Sequence, residues 1–404
     1  MALKQNSNRD RQRKKTSFIK EELSRLEVEN LYRQINIFDL EKESTIRHKE
    51  YQIINFSSND YLGLSKNKAI LRQLKEHIKS QISQCSSRLI SGSSSKIDNL
   101  EKNLSNHRGT QSTLIFPTGY MANLGVISAI GSKETVIFSD RLNHASIIDG
   151  CKLSNSHIMV FPHNDFSILE ALVKKTNIKK KIIITEGIFS MDGDFSNLKE
   201  ISKISKKNDC ILIVDDAHGD FIVGDNILKN YSGTPSFFNI SKDVDIHISS
   251  LSKGLGCFGG YVSSSKLICK YLINKSRPFI FTSAIPDFLC GIANIALTKV
   301  KDDIYQKKLY DNIDYFHKIT EENNIMNVKK TRFSPIIPIV IGHEKKTMDI
   351  SRKLLKKGFY VQAIRYPTVD KNQARLRVSL SAEHQKHQIY DLLFALNSIL
   401  KSYI

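Results

Sequence analysis

Between residues 112 and 249 the chain alternates short apolar runs with helical stretches, and this alternation constrains the fold more than any other feature. The runs are Ser112–Phe116, Val136–Phe138, Ile158–Phe161, Lys181–Thr185, Cys210–Val214 and Asp245–Ser249. Strands that alternate with helices imply βαβ units and a mainly parallel sheet covered on both faces. Polar or reactive residues follow the runs: Asp140 to His144, Glu186, Asp215 and Lys253. Ligands of open α/β sheets bind beyond the carboxyl ends of the strands, so these residues are the first site candidates.

The flanks read differently. Leu23, Leu26, Leu31 and Ile35 predict a helix within residues 18–36, and Tyr51–Phe56 predicts a strand. Past Ile285-Pro286 the pattern becomes helical over 288–325. Strands at Pro335–Ile341 and Arg375–Leu380 follow, with helices over 345–358 and 384–402. The expected organisation is therefore a basic tail and helical segment (1–54), a large α/β domain (55–287) and a smaller α+β domain (288–404).

Charge narrows the function classes. The 404 residues hold 60 Lys+Arg against 41 Asp+Glu, a net charge of +19. Most of that excess is scattered. Its one local concentration is Lys4, Arg9, Arg11, Arg13, Lys14, Lys15 and Lys20 against Asp10, which reads as a solvated basic tail. Without a clustered footprint or a binding motif, no nucleic-acid partner is expected. No apolar run approaches the roughly 18 residues of a membrane helix, so a soluble protein with no membrane partner is expected, and the cysteine usage points to the cytoplasm. The six cysteines form no C-x-x-C pair and no metal-type spacing, and are expected to be reduced thiols.

Gly254-Leu255-Gly256-Cys257-Phe258-Gly259 satisfies G-x-G-x-x-G. A dinucleotide fingerprint also needs an acidic residue about 20 positions further on. Residues 274–282 contain none, so nicotinamide binding is rejected. Lys253, just before these glycines, carries more chemistry. Lysine amines condense with carbonyls, and pyridoxal 5'-phosphate uses one as its resting attachment. Asp215 ends Ile211-Leu212-Ile213-Val214 and begins Asp215-Asp216-Ala217-His218-Gly219. A buried carboxylate there can pair with a pyridinium nitrogen, although an Asp-Asp pair after a strand also suits a helix cap or a metal.

Seven blocks then occur in a recognisable order: Asn55–Leu64, Pro117–Asn123, Asp140–Ser146, Glu186–Asp194, Asp215–Gly219, Ser250–Gly254 and Ala374–Arg377. With them the chain resembles the pyridoxal-phosphate-dependent α-oxoamine synthases over nearly everything after the tail. The resemblance implies a fold-type I transferase and a decarboxylative condensation of an amino acid with an acyl thioester. By it, Lys253 is the attachment lysine and proton-transfer base, Asp215 the partner of the pyridine nitrogen, His218 a neighbour of the phenolic oxygen and His144 the ring that stacks on the cofactor. Thr118, Gly119, Tyr120 and Ser250 hold the phosphate, with Thr282 reaching it from a second subunit, which implies a homodimer with shared active sites. Arg377 binds the amino-acid carboxylate, while Asn59 and Ser190 support the pocket.

Ala363-Ile364-Arg365-Tyr366-Pro367-Thr368-Val369 resembles the branch that joins L-alanine to a pimeloyl group, and implies substrate contacts from Arg365 and Thr368. The donor would be pimeloyl-CoA or pimeloyl-acyl carrier protein. Two other readings stay open: another member of the family, such as 2-amino-3-ketobutyrate CoA ligase, and a non-catalytic scaffold subunit of the same fold. Asp220-Phe221 departs from the family pattern, in which smaller residues are frequent after Gly219.

Overall fold

The computed structural model describes residues 15–42, 44–78, 82–225, 230–325, 328, 330–331 and 333–403. Most of the expected basic tail lies outside them. The N-terminal strands are β1 (Asp39–Leu40), β2 (Thr45–His48) and β3 (Tyr51–Asn55). Then come β4 (Ser112–Phe116), β5 (Thr135–Asp140), β6 (His157–Phe161), β7 (Lys180–Glu186), β8 (Cys210–Asp215), β9 (Ile246–Ser250) and β10 (Gly260–Ser264). The last four are β11 (Ile336–Gly342), β12 (Phe359–Tyr360), β13 (Gln362–Ile364) and β14 (Ala374–Ser379).

Seven strands form the main sheet in the order β4-β10-β9-β8-β7-β5-β6. β5 to β9 pair in parallel, and β10 alone runs against its neighbours β4 and β9. The alternation of side chains along β7 and β8 explains why these runs are apolar throughout. Ile182, Ile184 and Ile213 face one layer, which includes Val126 and Ile127 of helix Gly119–Ile130 and Leu272 of helix Lys266–Lys275. Ile183, Leu212 and Val214 face Leu169 and Val173 of helix Phe166–Lys175 and Leu198 and Ile201 of helix Leu198–Lys207. Each such side chain contributes about 1.5–3 kcal/mol by leaving water. Because the strands are parallel, β5, β7, β8 and β9 end together and present Asp140, Glu186, Asp215 and Ser250 along one rim.

Two smaller sheets complete the chain. One has the order β11-β14-β13; the other, β1-β2-β3-β12, joins the N-terminal strands to Phe359–Tyr360. One sequence expectation shifts, and strands appear where the sequence shows no pattern. The first helix is Ser17–Val28, and Leu31 and Ile35 lie beyond it because Asn30 takes left-handed backbone (φ 57°). β10 appears where Gly-Tyr-Val-Ser-Ser carries too little apolar character to read as a strand. β12 and β13 are too short to show a period. Among the described residues, no helix is long and apolar enough to cross a membrane, and all six cysteines are free.

Candidate active site

The rim of the main sheet gathers the site. Asp215, at the end of β8, is buried. Asn123 Nδ2 donates to its Oδ2 at 2.6 Å and the backbone N–H of Ala217 to its Oδ1 at 3.0 Å. In register beside it stands Glu186, the last residue of β7. Burial and the charge of Asp215 push the Glu186 carboxyl well above the ordinary carboxylate range. Its Oε1 is buried with no hydrogen-bond partner, as is Oδ1 of Asn123.

Lys253 reaches this cluster from the turn between β9 and β10. Its Nζ lies 2.9 Å from His218 Nε2. Burial lowers the amine to about 8, against the attraction of Asp215 and Glu186. His218 is held neutral by burial, with Lys253 and Arg377 adding to the effect. On its other side, His218 Nδ1 lies 2.7 Å from the Tyr61 hydroxyl. Tyr61 is fully buried and accepts a hydrogen bond from Arg377 Nη2 at 3.3 Å.

Arg377 enters on β14, so both parts of the chain meet at this point. Its Nε donates to the carbonyl of Ser190 at 2.7 Å, and its Nη1 donates to Asn59 Oδ1 at 3.2 Å and Ser379 Oγ at 2.7 Å. These bonds fix a planar guanidinium, the group best suited to a carboxylate. His144 is half-buried, and burial lowers its imidazole while Asp215 opposes the shift. Its Nδ1 lies 2.8 Å from Ser146 Oγ.

A second element approaches from β4. Thr118 caps helix Gly119–Ile130, its hydroxyl accepting from the N–H of Met121 at 3.1 Å. A helix start offers N–H groups and partial positive charge to an anion. Backbones crowd here: a Cβ on Gly260 would lie 2.5 Å from the carbonyl carbon of Thr118, and one on Gly119 would lie 3.3 Å from Cβ of Ser250. Tyr120 bonds Asp149 through its hydroxyl and meets His144 edge-on, ring centroids 6.3 Å apart.

The predicted residues thus fall into three places. Lys253, His218, Asp215, His144, Asn59, Ser190 and Arg377 come together, with Thr118, Gly119, Tyr120 and Ser250 at the adjoining helix start. Thr282 instead shares a small recess with Arg88, Pro117 and Phe279. Arg365 and Thr368 line a separate cleft of about 650 Å³ with Tyr32, Arg33 and Arg352, and Arg365 Nη2 donates to the carbonyl of Tyr32 at 2.7 Å. The sequence marks Glu186 only as a strand-end candidate and singles out neither Tyr61 nor Asn123, although each sits inside a quoted block.

This donor set fits pyridoxal phosphate. Lys253 suits the aldehyde, Asp215 the ring nitrogen, and the glycine-cleared helix start the phosphate. The model of the family "Aminotransferase class I and II" matches residues 51–396. The chain is 37% identical over 390 residues to an 8-amino-7-oxononanoate synthase of Thermoanaerobacter pseudethanolicus, covering 95% of this chain and 97% of that one. It is 38% identical over 390 residues to an 8-amino-7-oxononanoate synthase of Petrotoga mobilis, covering 95% and 96%. A serine palmitoyltransferase from S. paucimobilis, solved with a PLP–myriocin adduct, superposes with TM-score 0.89 at 25% identity, covering 96% of this chain and 98% of that one. The 8-amino-7-oxononanoate synthase of Francisella tularensis gives 0.74 at 28% identity, covering 87% and 99%.

Proposed function

Since the chain belongs to the class I and II aminotransferase family, we propose that it is a pyridoxal-phosphate-dependent acyltransferase that condenses L-alanine with a pimeloyl thioester to give 8-amino-7-oxononanoate, a step of biotin biosynthesis. The observation that carries this reading is the meeting of Lys253, Asp215, His218 and Arg377 at the strand ends. When bound, pyridoxal phosphate supplies an electron sink for charge that develops at the amino-acid Cα.

The chain's own residues do the rest. Lys253 would hold the cofactor through its aldehyde. An amine lowered to about 8 is neutral in roughly a fifth of molecules near physiological pH, far more than an ordinary lysine, and the neutral form can take the Cα proton. His218, backed by Tyr61, holds Nζ in place. Asp215, fixed by Asn123, would pair with the ring nitrogen and favour its protonated form. His144 would cover the ring, while Thr118, Gly119, Tyr120 and Ser250 would receive the phosphate. Arg377 orients the alanine carboxylate with Asn59 and Ser190 beside it. A carbon–carbon bond then forms from Cα to the acyl carbonyl, the thiolate leaves and takes a proton from water, the carboxylate departs as carbon dioxide, and Lys253 returns a proton to Cα.

Arg365 and Thr368 contact the acyl donor, pimeloyl-CoA or pimeloyl-acyl carrier protein, from their cleft. Two copies share the work, with Thr282 directed to the phosphate of the other subunit. Association is supported by the apolar side chains that one chain leaves exposed near its start, Phe18, Val28, Ile35 and Ile37. The place of action is the cytoplasm, in keeping with six free thiols. The test is the absorbance of the purified protein and its response to L-alanine, glycine and L-serine added separately. A lysine-bound cofactor spectrum that changes with L-alanine is expected. The same spectrum persisting in Lys253→Ala would overturn the assignment.

A further inference from the structure

The loop that carries Asp215 and His218 has an outer side, and it is charged. Asp216 turns away from the site: its Oδ1 accepts from the Thr234 hydroxyl at 2.7 Å and its Oδ2 from Arg108 Nη1 at 2.9 Å. Asp220 also points outward. It accepts from Ser249 Oγ at 2.7 Å and from the Tyr261 hydroxyl, lies 3.1 Å from Arg108 Nη2, and meets His107 Nε2 at 2.9 Å. Arg108 is itself buried, with further bonds from Nε to Tyr261 Oη at 2.9 Å and from Nη1 to the Ser232 carbonyl at 2.6 Å.

The neighbouring residue adds a second, independent feature. Phe221 is fully buried with φ at +66°, a conformation that side-chain-bearing residues rarely adopt. Such strain persists only where the surroundings over-determine it. Here the His107 ring stacks on Phe221, centroids 4.7 Å apart and 17° from parallel. His107 and Arg108, at the end of helix Ser95–Arg108, therefore engage the two residues by which this loop departs from the resembling family.

We propose that His107-Arg108 and Asp220-Phe221 form a matched lock that positions Asp215 and His218 for the cofactor. A buried ion pair adds little net stability but penalises every arrangement that separates its members. Arg108 grips the loop at Asp216, next to Asp215, and at Asp220, two residues past His218. Between those grips the backbone has little freedom to turn either site side chain away. Asp220 and Arg108 are positioning residues, since neither touches the reacting atoms. The proposal rests on the reading that Asp215 and His218 face pyridoxal phosphate.

The test uses the full chain freed of cofactor and titrated with pyridoxal phosphate, with the pH midpoint of the bound cofactor's absorbance as a second readout. Asp220→Asn keeps the shape and removes the charge. It is expected to raise the cofactor dissociation constant about tenfold or more, the scale of a lost charged hydrogen bond, and to shift the absorbance midpoint. KM for L-alanine, set by Arg377, moves less than about twofold. Tyr261→Phe keeps the ring, loses the bonds to Asp220 and Arg108, and shifts both readouts in the same direction by less; it decides the matter if Asp220→Asn does not fold. In an Arg108→Met background, Asp220→Asn has a smaller effect than in the wild type. Variants that melt lower yet keep wild-type affinity and spectrum, or effects that simply add, would overturn the lock while leaving the functional reading intact. Wild-type protein that does not take up pyridoxal phosphate would overturn the functional reading itself.

Discussion

Replacing Gly260 with alanine tests whether the start of helix Gly119–Ile130 is the phosphate cradle. Gly260 opens β10 and pairs with Phe116 and Ser250, which places it directly against the cradle. The new methyl carbon would sit 2.5 Å from the carbonyl carbon of Thr118 and 2.6 Å from Cα of Gly119. Carbon atoms rest near 3.5–4.0 Å apart, so the backbone has to give. Overpacking of this kind costs about 1–3 kcal/mol. Displacement falls on the helix start, so the loss should appear in phosphate affinity at roughly 5- to 150-fold. The assay titrates cofactor-free Gly260→Ala with pyridoxal phosphate and separately with pyridoxal, which lacks the phosphate. The phosphate form should lose far more affinity than pyridoxal. Equal losses for both, or no loss for the phosphate form, would refute the cradle.

Three further outcomes follow from the same geometry. Cofactor uptake by Lys253 needs a neutral amine, so its rate in cofactor-free protein should rise with pH through a midpoint at about 8; a midpoint near the ordinary lysine value would contradict the buried setting. His163 bridges Asp140 at 3.0 Å and Asp194 at 2.9 Å, and although burial opposes its charge, these bonds raise it to about 9. A raised folded value stabilises fully below the unfolded value of about 6.5 and is lost as pH rises through about 9, an effect of about 3 kcal/mol at most. Urea melts should therefore show His163→Gln furthest below wild type near pH 6 and close to it above pH 9, and the reverse order would be contrary. Arg365→Ala should raise KM for the pimeloyl thioester and spare L-alanine, whereas Arg377→Lys should do the opposite; steady-state kinetics with each substrate varied in turn separates them.

The strand ends were legible because a parallel sheet buried on both faces needs continuous apolar runs, and whatever polar residue ends each run lies on the ligand-binding rim. Asp215, Lys253 and His144 were visible for that reason. Other parts depend on contacts far apart in the chain. His107 and Asp220 are 113 residues apart, and nothing near either one signals the other. Tyr61 stands in a readable block, but its role depends on His218 and on Arg377, 316 residues away. Glu186 ends an apolar run as Asp215 does; its raised proton affinity arises from burial and then from the register that sets the two side by side. The glycines after Lys253 matched a dinucleotide pattern by composition. In the structure they make the turn into β10, and Gly260 beyond them clears room for a helix start.

The central claim is the reaction, and the product tests it most directly. Purified protein with pyridoxal phosphate, L-alanine and pimeloyl-CoA or pimeloyl-acyl carrier protein should yield the mass of 8-amino-7-oxononanoate, with one thiol and one carbon dioxide released per turnover. Turnover confined to glycine, L-serine or a different acyl thioester, with no product from the pimeloyl donors, would contradict it.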